Sequence, residues 1–197
     1  MNNIESIETM LKQNNGIITS SQITEAGIPR RCLSEMVSDH SLYKIARGVY
    51  ALPEAWEDEM YILQYRYRKG VFSYDTALYL HGMSDRTPAK FTMTFPHGYH
   101  TESIKNENVQ VKRVVTDIYE LGIIEKISTH GNLLRVYDIE RTLCDIVKGN
   151  NTSDIQVVNQ AMKAYALSKF KNINKLLEYA EKLRVKNKVL TYMEVLL

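Results

Sequence analysis

SQITEAGIPRRCLSEMV, residues 21–37, decides how the start of this chain folds: a polar opening, a glycine turn, then a second run that begins with two arginines. Thr19-Ser20-Ser21-Gln22, at its leading edge, fits a capping box, with a hydroxyl first and an amide side chain three residues later. A helix to Ala26 follows, and Gly27 suits the left-handed position after a last helical turn. Pro29 then falls in the first turn of another helix, where its missing N–H costs nothing. Leu33, Met36 and Val37 give that helix an inner face and leave Arg30, Arg31, Ser34, Glu35 and Ser38 outward.

Upstream, Ile4, Ile7, Met10, Leu11 and Asn14 recur at helical spacing, and Gly16 ends the run. Downstream, SLYKIARGVYALP reads as two short strands, 43–45 and 49–52, around Ala46-Arg47-Gly48, with Gly48 able to take the positive φ of a tight hairpin. Helix, helix, turn, helix, hairpin is the order of a winged helix-turn-helix, expected over residues 1–52. Pro53 and the acidic EAWEDE after it mark its expected end. Residues 53–197 form the second expected domain. Helices are read at 56–69 and 73–81, then strands in KFTMTFP, VQVKRVV and IIEKIST, then helices at 138–148, 153–166, 172–184 and 187–196. The expected class is α+β, a winged helix-turn-helix followed by a mixed domain with a helical C-terminus.

Hydrophobic (44%) and charged (24%) contents are those of a globular protein, and no apolar run approaches the ~18 residues of a membrane span. The opening MNNIESIETMLKQ is polar and acidic, unlike a secretory signal, and Cys32 and Cys144 lack any paired spacing, so reduced thiols in a cytoplasmic protein are expected. Charge is uneven. Residues 1–52 balance at zero, 53–159 sum to −3 and 160–197 to +5. Nucleic-acid binding must therefore come from local placement of cations.

That placement is present. A recognition helix needs long polar residues at its outward N-terminus, and Arg30, Arg31 and Ser34 stand there. A wing needs a cation near its tip to grip phosphate; Arg47 is at the tip and Lys44 on the strand leading in. Ser20, Ser21 and Gln22 open the preceding helix, another place to meet a phosphate. Glu35 and Asp39 oppose this reading, and surface arginines on helical hairpins often face only water.

Other chemistries find less support. His81, His97 and His100, with Asp75, are too sparse and irregular for a zinc site, and no cysteine is near, so no metal or other cofactor is expected. Phosphate-cradle, nucleophile-elbow and H-E-x-x-H motifs are missing. Glu140 and Asp145 lie five residues apart, about 140° around a helix, so they do not form a paired acid site. An ion pair of one of them with Arg141 is the simpler account, and no enzyme is expected. Lysines at 169, 171, 175, 182, 186 and 188 read as a solvated helical face or a second anchor for acidic surfaces.

The wing ending Arg47-Gly48-Val49-Tyr50, FSYDTALYLHGMSD (72–85), TMTFPHG (92–98) and YDIERTLCDIV (137–147) together resemble AbiE-type antitoxins of bacterial type IV, abortive-infection toxin–antitoxin systems, a form of phage defence. The resemblance spans nearly the whole chain in order. It implies a winged helix that binds inverted repeats in its own promoter as two copies and represses the operon. It also implies a C-terminal domain that counteracts a nucleotidyltransferase-like toxin without a stable complex. Tyr74, His81, Glu140, Arg141 and Asp145 lie in the matching motifs and are the candidates for antitoxicity. The alternatives are a winged-helix regulator whose second domain senses a small ligand, and a second domain that is a degenerate enzyme.

Overall fold

The computed structural model describes residues 2–104, 107–148 and 153–196. Among them are ten α-helices and two β-sheets, an α+β fold. The chain divides into two compact units. The first comprises residues 1–68 and 127–133, the second residues 69–126 and 134–197.

In the first unit α1 (Asn3–Gln13) leads to β1 (Ile17–Thr19), α2 (Ser20–Glu25), α3 (Arg31–Ser38), β2 (Tyr43–Ala46), β3 (Val49–Ala51) and α4 (Glu59–Arg66). The three strands form an antiparallel sheet in the order β1-β3-β2. Thr19 accepts from the Gln22 backbone N–H while Gln22 reaches back to Thr19, so the capping box starts α2. Gly27 (φ +72°) turns the chain out of α2, and the Ile28 N–H closes the turn on the Ile23 carbonyl. Pro29 sits one residue before the N-cap Arg30 rather than inside α3, a shift of two residues from the expected start. Gly48 (φ +78°) closes the β2–β3 turn.

Successive strand residues face opposite ways, and here both faces are covered. Ile18 joins Ile7, Leu11, Ile23, Ile28, Leu33 and Met36 in one apolar cluster. Ile17, Val49 and Ala51 pack on the other side with Tyr61, Ile62 and Tyr65 of α4. That second layer explains why the expected boundary at Pro53 falls inside the first unit: the sheet's far face needs α4 to cover it. Asp58 fixes the start of α4. One carboxylate oxygen caps the Tyr61 N–H (3.0 Å), and the other receives Ser128 Oγ and Asn132 Nδ2 (2.9 Å), which is how residues 127–133 join this unit.

The second unit carries the sheet β6-β5-β4-β8-β7, with β4 (Val71–Phe72), β5 (Phe91–Pro96), β6 (Val109–Val114), β7 (Ile123–Ile127) and β8 (Leu133–Tyr137). β5 runs parallel to β6 and antiparallel to β4, and β4 runs parallel to β8. α5 (Tyr74–Leu80), α6 (Thr116–Tyr119), α7 (Ile139–Ile146), α8 (Ile155–Leu167), α9 (Ile173–Lys182) and α10 (Lys186–Leu196) complete it. Leu78, Leu143, Met162, Leu176, Ala180, Val189 and Met193 meet in a helical core. The expected strands and C-terminal helices are present. β1, β4, α6 and β8 were not expected. β1, β4 and α6 are short, and β8 opens on two adjacent apolar residues, Leu133 and Leu134, so its apolar positions do not alternate with polar ones. Among the described residues no helix is long and apolar enough to cross a membrane.

Candidate nucleic-acid interface

Cys32, Leu33 and Met36 bury the inner face of α3. The helical period then leaves Arg31, Ser34, Glu35 and Ser38 exposed on the opposite side, with Arg30 exposed at the helix start. Arg30 is not loose: its Nε donates to Thr24 Oγ1 of α2 at 2.9 Å, which draws the guanidinium back along the helix pair. Arg31 is therefore the long cation best placed to extend away from the protein. Arg47 is exposed at the hairpin tip and Lys44 exposed on β2.

Polar groups at the start of α2 are tied into the protein. Gln22 is committed to the capping box. Ser20 is half-buried and its backbone N–H donates to the Gly48 carbonyl (2.9 Å), tying the helix to the hairpin turn. Ser21 Oγ lies 3.0 Å from the Tyr65 hydroxyl and receives Arg68 Nη2 at 2.6 Å. The Arg68 guanidinium also sits 5.3 Å from the Tyr65 ring centroid, over its face. An exposed arginine from beyond α4 thus covers the first turn of α2 beside the hairpin. Sequence reasoning missed it because R-Y-R-K at 66–69 looks like any solvated basic run, and nothing local joins residue 68 to residue 21.

Three of the candidates in the second unit, Glu140, Arg141 and Asp145, are buried charged groups on α7. Arg141 is 0% exposed. Its Nε donates to Asp145 Oδ2 at 3.0 Å and its Nη1 to the carbonyls of Ile118 and Leu121 (3.0 Å for the latter), while the guanidinium lies 4.2 Å from the centroid of the Tyr137 ring. The expected ion pair is thus Arg141 with Asp145. Glu140 turns elsewhere, to Lys175 Nζ (3.3 Å) and the Tyr165 hydroxyl (3.1 Å). Asp138 caps α7 through the Arg141 N–H and holds Lys175 at 2.9 Å. Burial pushes the Asp145 carboxyl above its ordinary value while Arg141 draws it back, and burial raises the Tyr74 phenol and takes the Cys144 thiol up to about 12. Cys32 and Cys144 are both buried and free.

His81 shares a hydrogen bond of 2.7 Å with the Tyr137 carbonyl through Nε2, which must carry the proton, and burial lowers its pKa. It joins α5 to β8 as a neutral group. Tyr74 opens α5 at φ +53°, a strained position for a side chain of its size, with Lys112 Nζ 5.0 Å from its ring centroid. Of the C-terminal lysines, Lys175, Lys182 and Lys186 are held by carboxylates and Lys188 donates to the Val147 carbonyl, so they are drawn to the protein's own acceptors. Among the described residues no group of three His, Cys, Asp or Glu side chains is arranged to hold a metal ion; Asp75 instead receives Ser153 Oγ at 2.6 Å.

Residues 5–53 match the family described as "Transcriptional regulator, AbiEi antitoxin", so the resemblance read at the hairpin holds for this part of the chain. Among solved structures the chain is similar to the crystal structure of RV2827C protein from Mycobacterium tuberculosis, at 14% identity and a TM-score of 0.47, covering 95% of this chain and 79% of that one. No curated protein matches the chain.

Proposed function

We propose that the protein is a bacterial antitoxin that represses its own operon, with a winged helix-turn-helix in its first unit as the DNA reader. The observation that carries this is the exposed face of α3, where Arg31 and Ser34 stand outward at the helix start, beside a hairpin whose tip is Arg47. Arg31 and Ser34 read base edges in the major groove, with Arg30 supporting from the helix start. Lys44 and Arg47 hold phosphate on the wing. Arg68, held on Ser21, adds a phosphate contact beside Ser20, Ser21 and Gln22 at the start of α2. The second unit counteracts a nucleotidyltransferase-like toxin without a stable complex, and the protein works in the cytoplasm.

Arg31→Ala should weaken binding to the promoter repeat by about 1–3 kcal/mol and relax the sequence preference. Arg47→Ala and Arg68→Ala should each weaken binding to all duplexes alike and lower the salt slope by about one. Gel shifts over a salt series measure both. The double variant Arg31→Ala/Arg47→Ala, induced with the toxin, should still rescue growth; rescue lost with promoter binding, in a folded protein, would mean protection works through DNA. If none of the three single variants changes affinity, the recognition surface is elsewhere.

A small module with few cations holds one half-site poorly, so repression needs two. Two copies should occupy an inverted repeat cooperatively, seen as a sigmoidal titration and a two-to-one complex by sedimentation. One protein per full repeat with a hyperbolic curve would contradict this.

A further inference from the structure

The second unit holds a cleft of about 750 Å³ whose lining includes none of the residues proposed to meet DNA. It opens at one end of the sheet. His97, Gly98, Tyr99 and His100 follow the last residue of β5, while Thr116, Tyr119 and Glu120 lie just beyond β6, the strand that runs parallel to β5. β5 and β6 are a parallel pair, and the cleft lies outside their carboxyl ends. Lys69, two residues before β4, and Arg135, on β8, line the same cleft.

The framework of the cleft is already held by internal bonds. The buried Tyr119 donates its hydroxyl to the Lys69 carbonyl (2.7 Å), and its own carbonyl accepts from the Tyr137 hydroxyl (2.8 Å). The Arg135 guanidinium lies 5.9 Å from the Tyr119 ring centroid, over its face. Tyr99 stacks on Phe95 at 4.9 Å between centroids, and the His97 N–H donates to the Val114 carbonyl (2.7 Å), fixing the turn that carries both histidines. Lining this scaffold are the basic side chains Lys69, His97, His100 and Arg135, against the single acid Glu120. The volume is that of small-molecule sites.

We propose that this cleft binds a small phosphorylated anion. Lys69 and Arg135 supply fixed positive charge, and Arg135 offers the planar fork that matches phosphate oxygens. The proposal is independent of promoter binding and would stand if the DNA assignment failed.

Calorimetric titration of the full-length protein with sodium pyrophosphate, and separately with ATP, at constant ionic strength tests it. One saturable site per chain is expected. Lys69→Gln and Arg135→Gln should each weaken binding about tenfold or more, and Glu120→Gln should strengthen it severalfold. ATP binding more tightly than pyrophosphate would identify a nucleotide as the ligand; equal affinities would identify the bare phosphate groups as what is recognised. Unsaturable titrations, or saturable binding unmoved by both Lys69→Gln and Arg135→Gln, would overturn the proposal. So would variants that lower affinity for random duplex DNA while pyrophosphate does not bind, since the cleft would then be part of a nucleic-acid surface.

Discussion

Arg141→Met should destabilise the protein by about 3–5 kcal/mol, a large share of the roughly 5–15 kcal/mol that holds a domain folded. The methionine fills much of the volume but carries no donor. Asp145, itself 2% exposed, loses its hydrogen-bonded cation, and the carbonyls of Ile118 and Leu121 lose theirs. Urea unfolding followed by circular dichroism measures the loss, and a cost below about 1 kcal/mol would show that the pair is not needed. Arg141→Met/Asp145→Leu should recover most of the stability, because the penalty comes from the orphaned charge. The pH dependence has a definite sign. Burial already raises Asp145 and Arg141 draws it back, so removing the arginine raises the carboxyl further. The folded variant then takes up a proton at a higher pH than the wild type does. The stability gap should be widest near neutrality and narrow as pH falls toward the ordinary carboxylate range, where protonation removes the uncompensated charge. A gap that widens on acidification would contradict this assignment.

The second large effect is expected at Asp58, 2% exposed. Asp58→Ala removes the cap of α4 and leaves Ser128 and Asn132, both buried, without their acceptor. Loss of a cap costs about 1 kcal/mol and each buried group left unsatisfied about 1–3 kcal/mol, so a total of about 2–4 kcal/mol is expected after partial relaxation. Asp58→Asn keeps an oxygen for the Tyr61 N–H and should cost about half as much. Hydrogen exchange locates the effect: amides of α4 and of residues 128–132 should lose protection together in Asp58→Ala. Loss confined to α4 would mean the return segment is held by other contacts.

Those two sites also show where sequence reasoning stops. The capping box at Thr19 and Gln22, the glycine after α2 and the hairpin turn at Gly48 were legible because each is decided by neighbours within four residues. So was the outward face of α3, which follows from the period of Leu33 and Met36. The long helices of the second unit were legible for the same reason. β1 and β4, three and two residues long, carry no period to detect. The bonds of Ser21 to Arg68, and of Asp58 to Ser128 and Asn132, join residues 47 to 74 positions apart, and no local pattern encodes such pairings. The proline and acids after Leu52 are a genuine change of composition. They mark a loop, while the uncovered face of the β1-β3-β2 sheet decides that the next helix stays with the first unit. In α7 the E-R-T-L-x-D motif stood out, but whether its charges faced solvent, a partner or one another depended on burial. The buried network of Arg141, Asp145, Asp138 and Lys175 explains those residue types by the folding of the second unit.

The return of residues 127–133 to the first unit has a consequence on the ribosome. The segment that matches the regulator family ends at residue 53, and α4 is complete by residue 66, but the Asp58 carboxylate lacks its donors Ser128 and Asn132 until residues 127–133 have been made. At about 5–20 residues per second, the interval between residue 68 and residue 133 lasts roughly 3–13 seconds. During it, the nascent first unit is present without its last anchor. A message broken or a chain cut before that point yields a first unit whose α4 is loosely held.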